Sequence, residues 1–518
     1  MTEPDVIVIG AGSAGSVIAN RLSADPALSV LVLESGTRVT DPEMRRPELW
    51  PAIHGRSYDW AYRTVPQPGL AGRRLDWARG RGLGGSSLLH AMAHMRGCRA
   101  DFARWVAATG SERWSWDSLL PHFIAMESFS GGASAVHGDA GPLPVLLPGP
   151  ELSSPLVQDY LTAWEDLGVA RIPDHNGGEM IGATTNSLTI AEGRRVTVAD
   201  AYLDPALDRP NLSLRTDATV LRLRLRGRRF DGVEVADATG VHTLSAGTVV
   251  LAAGSIGDAL LLMHSGIGNP GDLERAGIPV RLASPEVGGN LHDHLLGAGN
   301  VYTSRQPVPA TRLQNSESMT YLSAAGLDVR TGGADIVVGC VVAPSMSESF
   351  PEAAAAVRPG GGYTLLFGVT NPTSRGRLRP SGPNPDDPPL LDPRYLDTQH
   401  DRAMFRAAFR HARLVGANEA LAPWRDAELL PGPGVRDDDD AAVDAFIARA
   451  AITHHHPVGT LRMGRDERAP VTPDLRLRGM DGVYVADASV IPSITAGPVH
   501  AAVLAIAESF SAQFLAGG

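Results

Sequence analysis

Two short apolar runs flank a glycine-rich segment near the start of the chain. Residues 5–9 (Asp-Val-Ile-Val-Ile) and 29–33 (Ser-Val-Leu-Val-Leu) predict buried strands, and the stretch that ends near Leu22 predicts a helix between them. The connecting residues 10–15 have the sequence Gly-Ala-Gly-Ser-Ala-Gly. Such glycines let a pyrophosphate reach the amides of the following helix, and Glu34 after the second strand can bind a ribose diol. The pattern therefore predicts a βαβ unit that binds a dinucleotide.

Two later apolar runs predict strands that return to the same sheet. Residues 248–254 end in small residues, and residues 482–487 end in an acid. The chain is therefore expected to come back twice to one nucleotide domain, as in flavoproteins of the glutathione-reductase-like fold. The sequence has neither a second glycine-rich βαβ unit nor a redox cysteine pair, which argues against a pyridine-nucleotide reductase.

The segments between these strands have other patterns. Runs at 335–339 and 363–367, with Pro- and Gly-rich turns at 382–394, predict an antiparallel sheet on the substrate side. Arginine and leucine alternate at 222–226, which is typical of a strand with one solvated face. Four aspartates at 437–440 precede a helical pattern. We interpret them as a solvated helix start rather than a cation site, because acids there complement the helix dipole.

Composition excludes several classes of protein. The 518 residues carry a net charge of -11, which argues against a nucleic-acid partner. No apolar run approaches the roughly 20 residues that span a bilayer. The two cysteines, Cys98 and Cys340, and an N-terminus without a targeting pattern favour a cytoplasmic protein. All 46 basic residues are arginine, so a lysine Schiff base and a P-loop lysine are both excluded.

Three adjacent histidines, His454, His455 and His456, lie within residues 453–460 (Thr-His-His-His-Pro-Val-Gly-Thr). Their internal position argues against an expression tag. We expect no metal, because neighbours on an extended chain point to opposite faces and no further ligand residue lies at ligand spacing. Histidine exchanges a proton near neutral pH, so one ring is the candidate general base. On an extended segment His454 and His456 would face the same side and His455 the other, and at least one ring would be structural.

Further blocks of the chain carry a family resemblance. Residues 80–90 (Gly-Arg-Gly-Leu-Gly-Gly-Ser-Ser-Leu-Leu-His), 254–268, 287–294 and 374–376 are similar, in this order, to blocks of the glucose-methanol-choline (GMC) family of FAD-dependent oxidoreductases. Within the second block, Asp258 and Ala259 depart from the usual residues, and His94 departs from the aromatic residue expected in the first family signature. The resemblance covers nearly the whole chain. It implies an α/β (α+β overall) fold, with a Rossmann-like FAD-binding domain and an inserted substrate domain built on an antiparallel sheet.

The domain boundaries follow from placing these blocks along the chain. The expected FAD-binding domain is discontinuous and comprises 1–155, 196–298 and 457–518. The expected substrate-binding domain comprises 156–195 and 299–456.

The resemblance also implies which residues hold FAD. Leu89 stands where members with covalent flavin carry histidine, so FAD is expected to bind without a covalent link. His292 and His294 are expected to be structural. The expected cofactor-binding residues are Gly10, Gly12, Ser13, Ala14, Gly15, Glu34, Leu83, Gly85, Ser86, His90, Ala91, Met92, Val220, Asp487, Ala488, Pro498, Val499 and His500.

By the same resemblance, His456 is the catalytic base. Its family partner is His or Asn near the last helix, but the matching position here is Pro498, which has no titratable or donating side chain. His454, on the same face of an extended segment, is the expected substitute. His500 is the rival candidate, although the family pattern places it beside the flavin.

Extended similarity at residues 55–64, 313–319 and 495–508 narrows the resemblance to the family members that oxidise pyridoxine. The expected reaction takes a primary alcohol to an aldehyde by hydride transfer to the flavin, with dioxygen reduced to hydrogen peroxide. The alternatives are a dehydrogenase with another acceptor or substrate, a redox-silent lyase on the same scaffold and a non-catalytic FAD-binding protein. The expected partners are the alcohol and dioxygen, with no membrane and no nucleic acid. The oligomeric state is left open, with a monomer as one alternative.

Overall fold

A five-stranded parallel sheet forms the centre of the first part of the fold in the computed structural model, which describes residues 3–324 and 333–517. Its central strands are buried along their whole length, as expected for a parallel sheet covered on both faces. The four strands predicted for this sheet are confirmed, and a fifth strand joins at one edge. The strand order is Leu212–Arg215, Val30–Leu33, Val6–Ile9, Thr248–Leu251 and Val483–Val485.

Two helices from opposite ends of the chain pack together beside this sheet. The predicted first helix is Ser13–Leu22, and it lies against the last helix, His500–Leu515. Arg21 forms a bidentate ion pair with Glu508, in which both N···O distances are 2.8 Å. The last helix is buried on most of its surface, which is typical of a core helix. The remaining helices are Arg99–Thr109, Trp116–Met126, Pro155–Asp166, Gly254–His264, Pro270–Arg275, Pro351–Ala356, Gln399–Gly416 and Asp440–Ala450.

A six-stranded antiparallel sheet forms the second part, which confirms the predicted architecture. Helix Gln399–Gly416 covers it, with the rings of Phe405 and Phe409 packed at 5.8 and 5.4 Å from the ring of Phe367. The predicted domain boundary at residue 298 falls inside a strand of this sheet. The strands are Ser316–Leu322, Ile336–Val341, Gly362–Val369, Leu295–Ser304, Arg425–Leu430 and Ala451–Thr453.

The smaller strands include one confirmed prediction and one correction. The alternating run at 222–226 lies in a strand, as predicted. Leu390–Asp392 is also a strand, although it falls inside the segment predicted as turns. The other strands are Tyr62–Arg63, Asp76–Trp77, Glu127–Phe129, Leu143–Val145, Gly182–Thr185, Ile190–Ala191, Arg194–Arg195, Thr219–Arg226, Arg229–Asp237, Gly240–Leu244, Ile267–Gly268, Leu282–Ala283 and Arg377–Arg379.

Helix Asp440–Ala450 begins where the aspartate run predicted a helix start. The side chain of Asp439 accepts a hydrogen bond from the backbone N–H of Ala442 at 3.0 Å, and so caps the helix. Among the helices within 3–324 and 333–517, none combines the length and the apolar character needed to cross a membrane.

The strand Leu295–Ser304 pairs with a segment that lies about 150 residues further along the chain. Its first residues pair antiparallel with Ala451–Thr453, so that Leu295 lies opposite Thr453. Residues 293 and 294 precede one strand of this pair, and the histidine run follows the other. The pairing therefore brings these two distant segments together.

Candidate active site

One cavity of about 850 Å³ extends from the glycine turn to the histidine run. It lies at the carboxyl ends of the parallel strands, where ligands bind in open α/β sheets. Gly10, Glu34, Ala252 and Asp487 each follow a strand of that sheet and line the cavity. The predicted dinucleotide unit and the predicted base thus share one continuous space.

The glycine turn brings the backbone close to the opposite strand. Gly10 has φ +97°, and a Cβ atom there would lie 2.6 Å from the carbonyl oxygen of Ala252. A Cβ atom on Gly15 would lie 1.9 Å from the carbonyl oxygen of Gly10. Gly12 starts helix Ser13–Leu22 without a side-chain cap, so the first amides of the helix are open toward the cavity. This is a cradle that fits a pyrophosphate.

The carboxylate of Glu34 is fixed by backbone donors. It accepts hydrogen bonds from the N–H groups of Ala11 at 2.9 Å, Gly36 at 2.8 Å and Gly82 at 3.1 Å. Burial raises the pKa of Glu34 above its usual value. Since each carboxylate oxygen has two lone pairs, the group keeps capacity for a ribose hydroxyl.

The predicted cofactor residues fall into two groups. Gly15, Leu83 and Met92 do not line the cavity: Gly15 permits close helix packing, and the other two are buried in apolar clusters. The remaining fifteen line the cavity. These are Gly10, Gly12, Ser13, Ala14, Glu34, Gly85, Ser86, His90, Ala91, Val220, Asp487, Ala488, Pro498, Val499 and His500.

Unpaired ring nitrogens in the cavity wall also fit FAD. Within the described residues, Nε2 of His90 and both ring nitrogens of His500 are buried without a hydrogen-bond partner. The two rings contact each other edge to face, with centroids 4.7 Å apart. Buried polar atoms normally have a partner, and a polar ring system such as isoalloxazine would supply one.

The histidine run differs from the predicted extended segment. The strand ends at residue 453, and His455 has φ +61°, in the left-handed region. His454 and His456 still face the same side, with ring centroids 4.2 Å apart, while His455 contacts the ring of His54 at 5.0 Å. The predicted grouping of the rings is confirmed, but a left-handed residue produces it rather than the alternation of a strand.

The carboxylate of Asp293 holds the backbone of the run. Its Oδ1 accepts a hydrogen bond from the N–H of His456 at 2.6 Å, and its Oδ2 accepts one from Oγ1 of Thr453 at 2.6 Å. The hydroxyl of Tyr395 also donates to Oδ2. Burial raises the pKa of Asp293 to about 6. The buried carboxylate therefore fixes the point from which the His456 side chain extends.

The ring of His456 is neutral near pH 7. Burial, followed by the neighbouring rings of His454 and His294, holds its pKa well below the usual value. Its Nδ1 lies 3.0 Å from Nδ1 of His294. A neutral imidazole at a cavity wall can accept a proton, which is the property that the predicted base requires.

His454 does not hydrogen-bond to the ring of His456 within the described residues. Its backbone N–H donates to the carbonyl oxygen of His294 at 2.9 Å, and its ring lines the cavity. Pro498 also lines the cavity. The role of His454 as a substitute partner stays a prediction.

The ring nitrogens of His294, His454 and His456 lie within 4.8 Å of one another. His294 comes from a segment about 160 residues before the histidine run, so the spacing of residues near the run does not predict this cluster. Two of the three nitrogens form the 3.0 Å contact with each other. That no metal is bound here stays a prediction.

Several residues of the site were not predicted from the sequence. Asp293 and Tyr395 were not assigned, and His294 was expected to be structural only. The available signal was the block at 287–294, which contains two of them. The neighbouring His292 has the expected structural contacts: its Nδ1–H donates to the carbonyl oxygen of Asn290 at 2.5 Å, and its Nε2 accepts from the N–H of Ile494 at 3.0 Å.

Tyr395→Phe is expected to lower both the thermal midpoint of the FAD-loaded protein and the rate of flavin reduction. The substitution removes a donor to Asp293 and an acceptor for Nε1–H of Trp77, which is 2.9 Å away. The loss of buried partners costs about 1–3 kcal/mol. Tyr363→Phe is the matched control, because that buried hydroxyl has no partner within the described residues. Equal effects of the two substitutions would contradict the role of the Tyr395 hydroxyl.

Comparisons with known proteins indicate one family of oxidoreductases along nearly the whole chain. Two family models described as GMC oxidoreductase match residues 4–296 and 372–507. A pyridoxine 4-oxidase from Microbacterium luteolum is 54% identical over 516 residues, which cover 99% of this chain and 100% of that protein. Human mitochondrial choline dehydrogenase is 35% identical over 537 residues, covering 98% of this chain and 89% of the relative. The crystal structure of pyridoxine 4-oxidase from Mesorbium loti superposes with a TM-score of 0.96 at 50% identity, covering 99% of each chain.

Proposed function

The chain belongs to the GMC oxidoreductase family, and on that premise we propose that it oxidises pyridoxine to pyridoxal with dioxygen as the electron acceptor. Its membership confirms the family resemblance found in the sequence. FAD is its cofactor. The observation that carries the proposal is the position of the His456 ring in the wall of the same cavity that starts at the glycine turn.

The residues around the cavity suit different parts of FAD. The turn at Gly10 and Gly12, with the first amides of helix Ser13–Leu22, would hold the pyrophosphate. Glu34 would bind the adenosine ribose, and the rings of His90 and His500 would contact the flavin. We retain non-covalent binding as part of the proposal, since Leu89 is an alkyl side chain at the cavity wall. When bound, FAD supplies the hydride acceptor and returns two electrons to dioxygen to give hydrogen peroxide.

The proposed role of His456 is to take the hydroxyl proton of the substrate. An alkoxide loses hydride far more readily than a neutral alcohol, so removal of this proton promotes the oxidation. General-base catalysis of this kind contributes on the order of 10²- to 10⁴-fold to a rate. Asp293 fixes the backbone of His456 during the transfer. In the overall reaction, RCH₂OH and O₂ give RCHO and H₂O₂.

The choice of pyridoxine rests on a relative and on the cavity wall. The enzyme from Microbacterium luteolum is named for this substrate, and the identity to it extends over the full length of both chains. The wall next to the histidine run is an apolar cluster that suits the faces of a neutral aromatic ring. It consists of Leu296, Met319, Val341, Leu366 and Ile452.

Anaerobic addition of pyridoxine is expected to bleach the flavin, and air is expected to restore its colour with one hydrogen peroxide formed per pyridoxal. Choline is the control and should leave the flavin oxidised, because the aliphatic wall of Leu296, Met319, Val341 and Leu366 suits a neutral ring better than a quaternary ammonium group. Absorbance of the flavin and a peroxide assay measure both steps. A flavin that pyridoxine does not bleach would refute the substrate. Rapid bleaching followed by reoxidation with a quinone but not with air would make the protein a dehydrogenase.

The finer biological assignments remain proposals. Hydrogen peroxide as product and a role in vitamin B6 degradation follow from the proposed reaction. A cytoplasmic location rests on the sequence pattern alone. The predicted domain boundaries are retained as a proposal, and we place the boundary predicted at 298 before strand Leu295–Ser304.

A further inference from the structure

A neutral histidine can act as the proposed base only if its lone pair is on the correct nitrogen. Neutral imidazole exists in two tautomers, and a contact of the other nitrogen selects between them. In His456 this contact is made by Nδ1, which lies 3.0 Å from Nδ1 of His294. The protonation state of His294 therefore determines which nitrogen of His456 carries its proton.

The far side of the His294 ring has a fixed hydrogen bond. Its Nε2 lies 2.8 Å from the carbonyl oxygen of Thr370. A carbonyl oxygen only accepts, so Nε2 carries a proton. The carbonyl itself is held, because the backbone N–H of Thr370 donates to the carbonyl oxygen of Asp335 at 3.0 Å and the residue is buried.

The remaining protons follow from this anchor. Burial lowers the pKa of His294 to about 4, so the ring carries one proton near pH 7. With that proton on Nε2, Nδ1 of His294 has a lone pair. The 3.0 Å contact is then a hydrogen bond only if Nδ1 of His456 donates. Since His456 is also neutral, its Nε2 is left as the lone pair.

We propose that His294 is a positioning residue for His456. Its Nε2–H donates to the carbonyl oxygen of Thr370, so its Nδ1 accepts a hydrogen bond from His456 and holds the proton of His456 on Nδ1. Nε2 of His456 is then the proton acceptor of the reaction. This inference rests on the proposed function for the identity of the base. His294 thus takes the place of the family's partner residue, because the matching position here is Pro498. The role resembles that of the carboxylate which fixes the tautomer in a Ser-His-Asp triad, with a neutral ring in its place.

His454 is less suited to this task. Its ring faces that of His456 at a centroid distance of 4.2 Å with an interplanar angle of 43°, and no hydrogen bond joins the two rings in the described part of the chain. His454 also lines the cavity. His454 is therefore available to contact substrate, whereas His294 does not line this cavity and contacts Nδ1 of His456.

The test compares two substitutions of similar shape. His294→Asp keeps an acceptor near the position of Nδ1, whereas His294→Leu removes it. We expect His294→Leu to slow anaerobic flavin reduction on the order of 10- to 100-fold at every pH, the loss expected for one hydrogen bond to a developing charge. His294→Asp should restore most of the rate and move the acid limb of the pH profile to higher pH, because a carboxylate raises the pKa of its histidine partner.

This ordering is the reverse of what simple packing predicts. If His294 only filled space, leucine would be tolerated better than a buried carboxylate. A faster rate for His294→Leu than for His294→Asp would therefore refute the proposal. Four other titratable or charged groups face His456, and both variants keep them unchanged, so the pH profiles can be compared directly. These groups are Arg79, Asp293, His454 and His455.

A second measurement needs neither substrate nor a folded His294 variant. In long-range ¹H–¹⁵N spectra of the FAD-loaded protein labelled at histidine, the His456 signals are assigned by their loss in His456→Gln. A protonated Nδ1 and an unprotonated Nε2 are expected, and the opposite tautomer would overturn the inference. If the wild-type flavin is not bleached by pyridoxine while the tautomer is as expected, the proposed function fails, whereas the control of the His456 tautomer by His294 stands.

Discussion

His456→Ala is expected to leave a yellow, FAD-loaded protein whose flavin is reduced by pyridoxine on the order of 10²- to 10⁴-fold more slowly than in the wild type. The loss corresponds to the contribution of a positioned general base. The cofactor should remain bound because the glycine turn that would hold the pyrophosphate lies at the other end of the cavity. Stopped-flow absorbance under anaerobic conditions measures the rate, and the flavin-to-protein absorbance ratio measures loading.

His400→Ala is a suitable control for this experiment. His400 lies in helix Gln399–Gly416 and does not line the cavity, so flavin reduction should be unchanged. Reduction of the His456→Ala flavin at the wild-type rate would remove His456 as the base. Addition of imidazole gives a further check, since a small external base can occupy the space that the truncation leaves.

Gly10→Ala is expected to weaken FAD binding. The residue has φ +97°, which costs an L-residue about 1–2 kcal/mol, and the new Cβ atom would lie 2.6 Å from the carbonyl oxygen of Ala252. The turn must move to relieve this contact, and the cradle for the pyrophosphate moves with it. Since 1.4 kcal/mol is a factor of ten in affinity, the dissociation constant of FAD should rise by more than about tenfold. Fluorescence titration of the apoprotein with FAD measures it.

Gly177→Ala is the matched control for the glycine experiment. Position 177 is exposed, and a Cβ atom there would meet no atom within 4 Å. FAD affinity and thermal stability should match the wild type. If Gly10→Ala binds FAD as tightly as Gly177→Ala does, the close approach at the turn has no bearing on cofactor binding.

The parallel sheet could be predicted from the sequence because its signal is local. Residues 5–9 and 29–33 are continuous apolar runs bounded by glycine or polar residues, and each matches one buried strand. The glycines at 10, 12 and 15 between these runs likewise predicted the turn, because their spacing is also a local signal. The strand at 390–392 was missed because its short apolar pair lies among prolines and aspartates, which are typical of turns.

The arrangement of the site could be predicted only in part. The resemblance supplied His456 and most of the cavity wall, and alternation supplied the grouping of His454 with His456. The contacts of Asp293 and His294 depend on the pairing of two strands far apart in the chain, which the local pattern does not encode. The local pattern also did not predict the left-handed conformation of His455, because no glycine or asparagine occupies that position.

The pairing of Leu295 with Thr453 has a consequence for protein engineering. The antiparallel sheet supplies part of the cavity wall that we propose for the substrate, and the same strand pair carries Asp293, His294 and the histidine run at its ends. A chimaera that exchanges this sheet for that of another family member therefore also exchanges the residues that hold the proposed base, His456. Substrate preference and proton transfer are inherited together, so new specificity is more safely sought by single replacements within Met319, Val341 and Leu366 than by grafting the sheet.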